Sequence, residues 1–539
     1  MIKKAATALF MATVLGGCAD QSTSSLSVSD QSSPSNHNVM ERPEAPKLCT
    51  AIRGNGQLIW AHFGGLSRVL ETEGQLIDGL AGGSSASITS FLYESILQNP
   101  SISNQDISPE EQAERASLLL KSIYHWIDVF SDTPEGQALS NLSNIQAKLK
   151  GFEIRRLDSQ DIAEVTAALG DLQLLLSSKD LVNLVDQEFI KFVFDTSLLE
   201  MSAPEARDLF QYRVTEIKNA LAGLGAFSAE DPAILYRPGL VDFKQAAKYV
   251  GALGDFYADS FQLNRAEFDQ FFAKCPNQGQ WWTHQSSSCK SLMQGMMTKS
   301  LNKSRKNASL RLKDPIGRYT QAVISTAVLV HDHDAFEEGI QDYYMGDKHA
   351  PDLNKNSMEF GYAGRLQDLA KVQAELGQYD DVKSQKFMSL GAMTWERMLS
   401  LSPAEPGLTK VQPFSLDSKK LYSFGGWSDL APIQVLKALG CEKTIYVTRQ
   451  GGDSTFAQGV AALGGLSDHM SALFDFENPD SSFQQAVQMT DDILCSDWDN
   501  IQGDDGDPLS QIKNLITHTY EDAPWFGPDH QGGPIGCRR

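Results

Sequence analysis

The sequence predicts an α/β fold, because apolar segments of strand length alternate with segments in which apolar residues recur at helical spacing. After the first such strand, for example, a helix carries Phe63, Leu66 and Val69 on one face. The segments with strand character are 48–52, a short stretch that begins at residue 77, 321–330 and 444–448. Between about 101 and 312, helical patterns alternate with polar breaks, which predicts a large helical insertion in the α/β domain.

A glycine-containing loop, Arg53-Gly54-Asn55-Gly56, follows the first predicted strand. Such a loop between a strand and a helix can turn backbone N–H groups toward an anion, either a phosphate or the oxyanion of an acyl-transfer intermediate. The phosphate alternatives are disfavoured, because the loop lacks the Lys-Ser/Thr end of a P-loop and the Gly-x-Gly-x-x-Gly pattern of dinucleotide-binding proteins. The sequence therefore predicts an oxyanion hole formed by the N–H groups of Gly54, Asn55 and Gly56.

Ser84 stands in a run of small residues between the second predicted strand and the helix after it. A serine at a sharp strand-to-helix turn has strained backbone angles, so the residues two positions before and after it have to be small. Here they are Gly82 and Ala86. The helix N-terminus next to the serine favours developing negative charge. Ser84 is therefore the candidate nucleophile, and an ordinary turn of small residues is the alternative.

In order and spacing, this loop, helix, strand and Gly-x-Ser-x-Ala turn resemble those of the patatin-like phospholipases. A third block is also similar: 402–407 matches the family's Ser-x-Ala-x-Pro-Gly segment, and 422–432 its Asp-Gly-Gly block. The resemblance covers about residues 48–97 and 390–450. It implies a three-layer α/β fold with a mostly parallel central sheet. It also implies hydrolysis of lipid or phospholipid esters by a Ser-Asp dyad without histidine, and no metal or cofactor.

Three positions depart from the family pattern. Phe424 stands where the family has the dyad aspartate directly before two glycines, and phenylalanine cannot accept a proton. The nearest carboxylate is that of Asp429, our candidate base; the alternative is the structural role of a second aspartate that the family commonly carries before a proline. Asn55 replaces the middle glycine of the oxyanion loop, and Leu58 replaces a basic residue after it. If no base is present, the chain is an inactive patatin-like protein that binds lipid or an envelope partner, or an envelope scaffold.

The N-terminus resembles a bacterial lipoprotein signal peptide. Two lysines precede an apolar run at 5–15, too short to span a membrane, and Leu-Gly-Gly-Cys follows at 15–18. We expect cleavage before Cys18 and acylation of this cysteine, so that several acyl chains attach the protein to the bacterial membrane. Residue 19 is alanine rather than the aspartate that often retains such proteins in the inner membrane, which predicts the outer membrane of the cell envelope. An aspartate does stand one position later, at residue 20, so retention in the inner membrane is the alternative.

The residues after the signal peptide and tether are enough for one large α/β domain with an insertion, or for two domains. With one such domain, these features predict four segments. They are a signal peptide at 1–18, a disordered tether at 19–46, a patatin-like domain at 47–450 with its helical insertion at about 101–312, and a C-terminal extension at 451–539 packed on the core. The tether is expected to be disordered because it has almost no large apolar side chains.

The formal charge of −22, from 46 basic and 68 acidic residues, argues against nucleic acid as a partner, because a nucleic-acid-binding protein needs a basic surface. One local exception is the basic run at 299–313, which follows three methionines at 293–297. Such a surface could contact a lipid interface; the alternative is an ordinary solvated helix and loop. His331 and His333 lack a third ligand at a recognisable spacing, so no zinc site is predicted there.

Six cysteines remain after Cys18, and an exported compartment permits disulfides. Cys275 and Cys289 are close in sequence and are predicted to pair. The other four either form two further disulfides, in a connectivity that the sequence does not fix, or include two buried free thiols, Cys49 and Cys441. These four are Cys49, Cys441, Cys495 and Cys537.

Overall fold

The structure is a computed structural model that describes the greater part of the chain from Arg42 onward. The described residues are 42–54, 56–103, 106–134, 136–138, 141, 145, 159–178, 181, 185–193, 239, 241–259, 287–304, 306–330, 357–376, 387–404, 409, 411–413, 421–425, 428–450, 480–497, 508–530 and 532–537. Several predictions fall outside them. These are the signal peptide with Cys18, most of the tether, Asn55, the histidines at 331 and 333, and the pairing of Cys275 with Cys289.

Strands and helices alternate along the described chain, as the sequence predicts. The described strands are β1 (Leu48–Ile52), β2 (Gly79–Gly83), β3 (Gln321–Val330), β4 (Ser357–Gly364), β5 (Phe387–Gly391), β6 (Gln412–Pro413), β7 (Leu421–Phe424), β8 (Lys443–Arg449), β9 (Asp492–Ser496) and β10 (Trp525–Phe526). The described α-helices are α1 (Trp60–Glu73), α2 (Ser85–Leu97), α3 (Pro109–Lys121), α4 (Ile123–Ser131), α5 (Ser159–Leu176), α6 (Gln187–Val193), α7 (Phe243–Asp259), α8 (Ser287–Ser304), α9 (Leu366–Leu376), α10 (Trp395–Leu401), α11 (Ile433–Leu439), α12 (Ser482–Gln488) and α13 (Pro508–Glu521).

The strands form one sheet whose central part is parallel. The order along it is β10-β9-β8-β1-β2-β3-β4-β5, and the pairs β9–β8, β8–β1, β1–β2 and β2–β3 are all parallel. The pair β3–β4 is antiparallel, as is β9–β10 at the edge. Within the predicted C-terminal extension, β9 and β10 complete one edge of this sheet, so this segment contributes strands to the core.

Helices cover both faces of the sheet, so the predicted α/β fold with a mostly parallel central sheet is confirmed. Helices α1 and α13 pack together against β8 and β9, and α11 packs on β1, β2 and β8 with α9 beside it. Six described helices, α3 to α8, lie between β2 and β3 in the chain, in the predicted insertion. Helix α7 of this group packs on α2, the helix that begins next to Ser84.

Two disulfides connect distant parts of the fold. Cys49 of β1 is bonded to Cys441, which follows α11, and Cys495 of β9 is bonded to Cys537 near the C-terminus. The alternative that Cys49 and Cys441 are free thiols is therefore wrong. Gly79 is needed beside the first bond, because a Cβ atom there would lie 2.5 Å from the Cys49 sulfur.

Two of the three methionines of α8 lie in the protein core, and Met296 is half-buried beside it. Met293 and Met297 are completely buried, because α8 packs on α4 and α7. Nearby basic side chains are held in ion pairs: Lys303 Nζ lies 3.0 Å from an Asp259 carboxylate oxygen, and Arg311 contacts both Asp255 and Asp259. In the part of the chain that the structure describes, no helix is both long and apolar enough to cross a membrane.

Candidate active site at a strand-to-helix turn

Ser84 lies at the sharp turn between β2 and α2 and has a backbone conformation that serine rarely adopts. Its φ is 53° and its ψ is −128°, and no other non-glycine residue among those described has a positive φ. The turn is crowded, because a Cβ atom on Gly82 would lie 2.6 Å from the Cβ of Ala86 and 3.0 Å from the carbonyl oxygen of Ile52. This is the steric requirement from which Gly82 and Ala86 were predicted to flank a nucleophilic serine.

Both peptide groups of Ser84 are fixed by hydrogen bonds. Its N–H donates to the Oγ of Ser402 at 2.9 Å. Its carbonyl oxygen accepts from the N–H of Ser87 at 3.0 Å and from the Ser87 hydroxyl at 2.6 Å. The strained turn is therefore held on its φ side by a residue far away in the sequence and on its ψ side by the first turn of α2.

The strain at Ser84 gives a prediction that does not depend on catalysis. A positive φ costs a residue with a Cβ atom about 1–2 kcal/mol and costs glycine nothing. We expect Ser84→Gly to be more stable than Ser84→Ala by about that amount in urea unfolding. At Ser90, a buried serine in the middle of α2, the order should reverse, with glycine about 1 kcal/mol less stable than alanine. The same order at both positions would contradict a strained Ser84.

The glycine loop lies directly against this turn. A Cβ atom on Gly54 would lie 2.5 Å from the carbonyl oxygen of Gly83 and 3.1 Å from the Cβ of Ser84. The start of the loop is tied to the sheet, because the N–H of Arg53 donates to the carbonyl of Val447 at 3.0 Å. Gly56 has a positive φ of 49°, and the middle residue, Asn55, lies outside the described residues. The loop and Ser84 are thus neighbours, as an oxyanion hole requires.

His62 of α1 holds the loop to the helix of Ser84, a role that the sequence analysis missed. A carbonyl oxygen can only accept, so the Nε2–H of His62 donates to the carbonyl of Arg53 at 3.0 Å. The other ring nitrogen, Nδ1, then accepts from the hydroxyl of Thr89 in α2 at 2.9 Å. Complete burial lowers the pKa of His62 to about 3, against the opposing effect of the Arg53 hydrogen bond. The ring is therefore neutral at physiological pH and acts as a structural bridge. In the sequence, the only indication of this role is a single histidine inside an apolar helical segment.

Strand β3 brings the third sequence block to the same place. Ser325 of β3 pairs with Gly83 at the end of β2, and Ala327, two residues further along, pairs with Phe424 at the end of β7. At a rise of about 3.3 Å per residue, the two strand ends face each other across roughly 7 Å. Ser428, which follows β7, lies close to Gly83, because a Cβ atom on Gly83 would lie 2.1 Å from the Ser428 hydroxyl oxygen. The segments that the family resemblance grouped are therefore adjacent in space.

Asp429 is buried, and both of its carboxylate oxygens accept hydrogen bonds. Oδ2 accepts from the hydroxyl of Tyr362 in β4 at 2.9 Å, and Oδ1 accepts from the N–H of Ala431 at 3.1 Å. The second contact closes a short turn before α11, which fits the structural alternative for this aspartate. Neither contact joins Asp429 to Ser84, so the Ser84–Asp429 dyad remains a prediction.

Two arginines lie at the neighbouring carboxyl ends of β1 and β8. Arg53 is almost completely buried, and its guanidinium donates to the carbonyl of Arg449 at 3.4 Å and lies 5.9 Å from the ring centre of Phe483. Burial raises the pKa of the nearby Tyr446 to about 12, and the Tyr446 hydroxyl donates to the carbonyl of Leu430 at 2.7 Å.

In parallel α/β sheets, ligands bind at the carboxyl ends of the strands, which is where Ser84 and the glycine loop lie.

No group of histidine, cysteine, aspartate and glutamate side chains suited to a metal ion occurs within the described ranges. No protein-family model matches this chain, and neither a curated protein nor a solved structure does so.

Proposed function

We propose that the protein is a patatin-like lipid acyl hydrolase with Ser84 as its nucleophile. The observation that carries this proposal is the positive φ of Ser84 at the junction of β2 and α2. Such strain persists only when the surrounding structure enforces it, and it is typical of serine nucleophiles at a strand-to-helix turn. The proximity of Gly54 to Ser84 gives further support, because an oxyanion hole has to lie beside the nucleophile.

In the proposed reaction, the Ser84 hydroxyl attacks the carbonyl carbon of a lipid ester while Asp429 accepts its proton. The N–H groups of Gly54, Asn55 and Gly56 stabilise the oxyanion of the tetrahedral intermediate. Collapse of this intermediate releases the alcohol, which takes the proton from Asp429, and leaves an acyl-Ser84 ester. Water, deprotonated by Asp429, then hydrolyses this ester and restores the serine.

We place this activity at the bacterial cell envelope, with acylated Cys18 as the anchor and the outer membrane as the site. The two disulfides support export, because such bonds persist in oxidising compartments and are rare in the cytosol. An anchored hydrolase would find its lipid or phospholipid substrate in the membrane that holds it.

The proposal predicts the effect of two substitutions on the hydrolysis of a short-chain nitrophenyl ester. Ser84→Ala should abolish turnover, because the acyl-enzyme no longer forms. Asp429→Asn should lower kcat by about 10²- to 10⁴-fold, the contribution of a general base. Unchanged turnover in Ser84→Ala would refute the assignment of the nucleophile. Unchanged turnover in Asp429→Asn alone would leave Asp429 with the structural role instead.

The glycine loop is tested by Gly54→Ala. The added Cβ would press on the Gly83 carbonyl and on Ser84, so the loop has to move away from the serine. A displacement of about 1 Å costs on the order of 10²-fold in kcat. Gly295→Ala in α8 is the matched control, because a Cβ atom there meets nothing within 4 Å. Equal ester hydrolysis by both variants would show that the loop has no catalytic role.

A second function, lipid binding without turnover, is favoured by one observation: the Asp429 carboxylate is engaged by Tyr362 and Ala431, while Phe424 offers no proton acceptor. In that case, the protein would sediment with phospholipid vesicles and hydrolyse none of them, and Ser84→Ala would leave binding unchanged. The same vesicles, assayed for released fatty acid, separate this function from the hydrolase.

A further inference from the structure

Ser402 has a specific relation to the strained backbone of Ser84. Its hydroxyl accepts the Ser84 N–H at 2.9 Å and donates its own proton to the carbonyl of Ser325 at 2.6 Å. Ser325 in turn pairs with Gly83 in the β2–β3 ladder. The Ser402 hydroxyl thus connects the turn to the neighbouring strand, over sequence separations of 318 and 77 residues.

The geometry fixes the direction of both hydrogen bonds. The Ser325 carbonyl can only accept, so the Ser402 proton points to it and a lone pair is left for the Ser84 N–H. Ser402 is completely buried, which keeps water from replacing either contact. Its position is also fixed. It ends α10 through a hydrogen bond from its N–H to the Met398 carbonyl at 2.8 Å, and a Cβ atom on Gly425 would overlap its carbonyl oxygen.

We propose that Ser402 is a positioning residue that sets the φ of Ser84 and so aims the nucleophile. This inference rests on the proposed function of Ser84. Both hydrogen bonds of the Ser402 hydroxyl go to backbone groups, those of Ser84 and Ser325, so its role is to hold backbone in place. This arrangement also excludes the Ser84 N–H from the oxyanion hole, because this group already donates to Ser402.

The test compares Ser402→Ala with Ser90→Ala. Ser90 is an equally buried serine of α2 whose hydroxyl donates to the Ala86 carbonyl at 2.9 Å, so both variants lose a buried serine hydroxyl. With a fluorophosphonate that modifies serine nucleophiles, Ser402→Ala should lower the maximal labelling rate about 10²-fold while leaving the probe concentration at half-maximal rate unchanged. Ser90→Ala should keep the rate within about twofold of the unmutated protein. Ser402→Cys has a similar shape but a weak acceptor, so its maximal labelling rate should fall as in Ser402→Ala. If the alanine variant does not fold, the labelling rate of Ser402→Cys replaces it in the comparison with Ser90→Ala.

Equal labelling rates in the Ser402 and Ser90 variants would overturn the inference. Failure of the proposed function looks different, because the unmutated protein itself would then not be labelled. In that event, amide hydrogen exchange of the peptide around 79–90 still decides whether Ser402 fixes the turn. Faster exchange in Ser402→Ala than in Ser90→Ala is expected, and equal exchange would again overturn the inference.

Discussion

Removal of the Cys49–Cys441 disulfide is expected to lower the free energy of unfolding by about 6 kcal/mol, the loop-closure entropy of so long a loop. The bond joins residues 392 positions apart, so it removes a large amount of conformational freedom from the unfolded chain. The double variant Cys49→Ala/Cys441→Ala, unfolded in urea and compared with the unmutated protein, measures the effect.

The Cys495–Cys537 bond is the matched control. It spans only 42 residues, so loop-closure entropy predicts a contribution smaller by about 2 kcal/mol. We therefore expect Cys495→Ala/Cys537→Ala to unfold at a higher urea concentration than the first double variant. If the shorter loop proves to contribute as much as the longer one, stabilisation by chain entropy is not the explanation.

Acid should destabilise the protein through His62. The pKa of this ring is about 3 in the folded protein, lowered by burial from the ordinary value of 6.5. Between these values the unfolded chain binds one more proton than the folded chain, so stability falls as the pH falls. Above pH 6.5 this titration does not reduce the free energy of unfolding. Below pH 6.5 it lowers the free energy of unfolding by about 1.4 kcal/mol per pH unit toward pH 3.

His62→Gln removes this titration and retains an amide N–H that can reach the Arg53 carbonyl. The free energy of unfolding of the variant, measured from pH 7 to pH 4, should therefore depend less steeply on pH than that of the unmutated protein. Parallel pH profiles for the two proteins would mean that His62 is not buried in the neutral form. Because His62 joins Arg53 to Thr89, the acid-induced loosening should begin at the glycine loop.

The sequence predicted those parts of the site that depend on neighbouring residues. Small residues around Ser84 are required by a strained turn, and the turn is present. The alternation of strands and helices likewise predicted a parallel sheet, because each unit is local. The direct bond between Cys49 and Cys441 was left open, because pairing between distant cysteines depends on the complete fold.

The remaining parts of the site depend on contacts between residues far apart in the chain. The Ser402 hydroxyl accepts the Ser84 N–H directly, and Tyr362 of β4 donates to Asp429. Neither contact leaves a periodic pattern in the sequence. His62 is an intermediate case, since a histidine among apolar helical positions suggests burial but does not reveal which groups it bridges. The methionines at 293–297 were ambiguous for a similar reason, because core methionines and lipid-contacting methionines have the same helical spacing.

The most direct test of the central claim is to map the residue that a fluorophosphonate modifies in the folded protein. We expect a single adduct on the peptide that contains Ser84, absent in Ser84→Ala and strongly reduced in Asp429→Asn. An adduct on any other serine, or none on a protein shown to be folded, would contradict the proposal that Ser84 is a catalytic nucleophile.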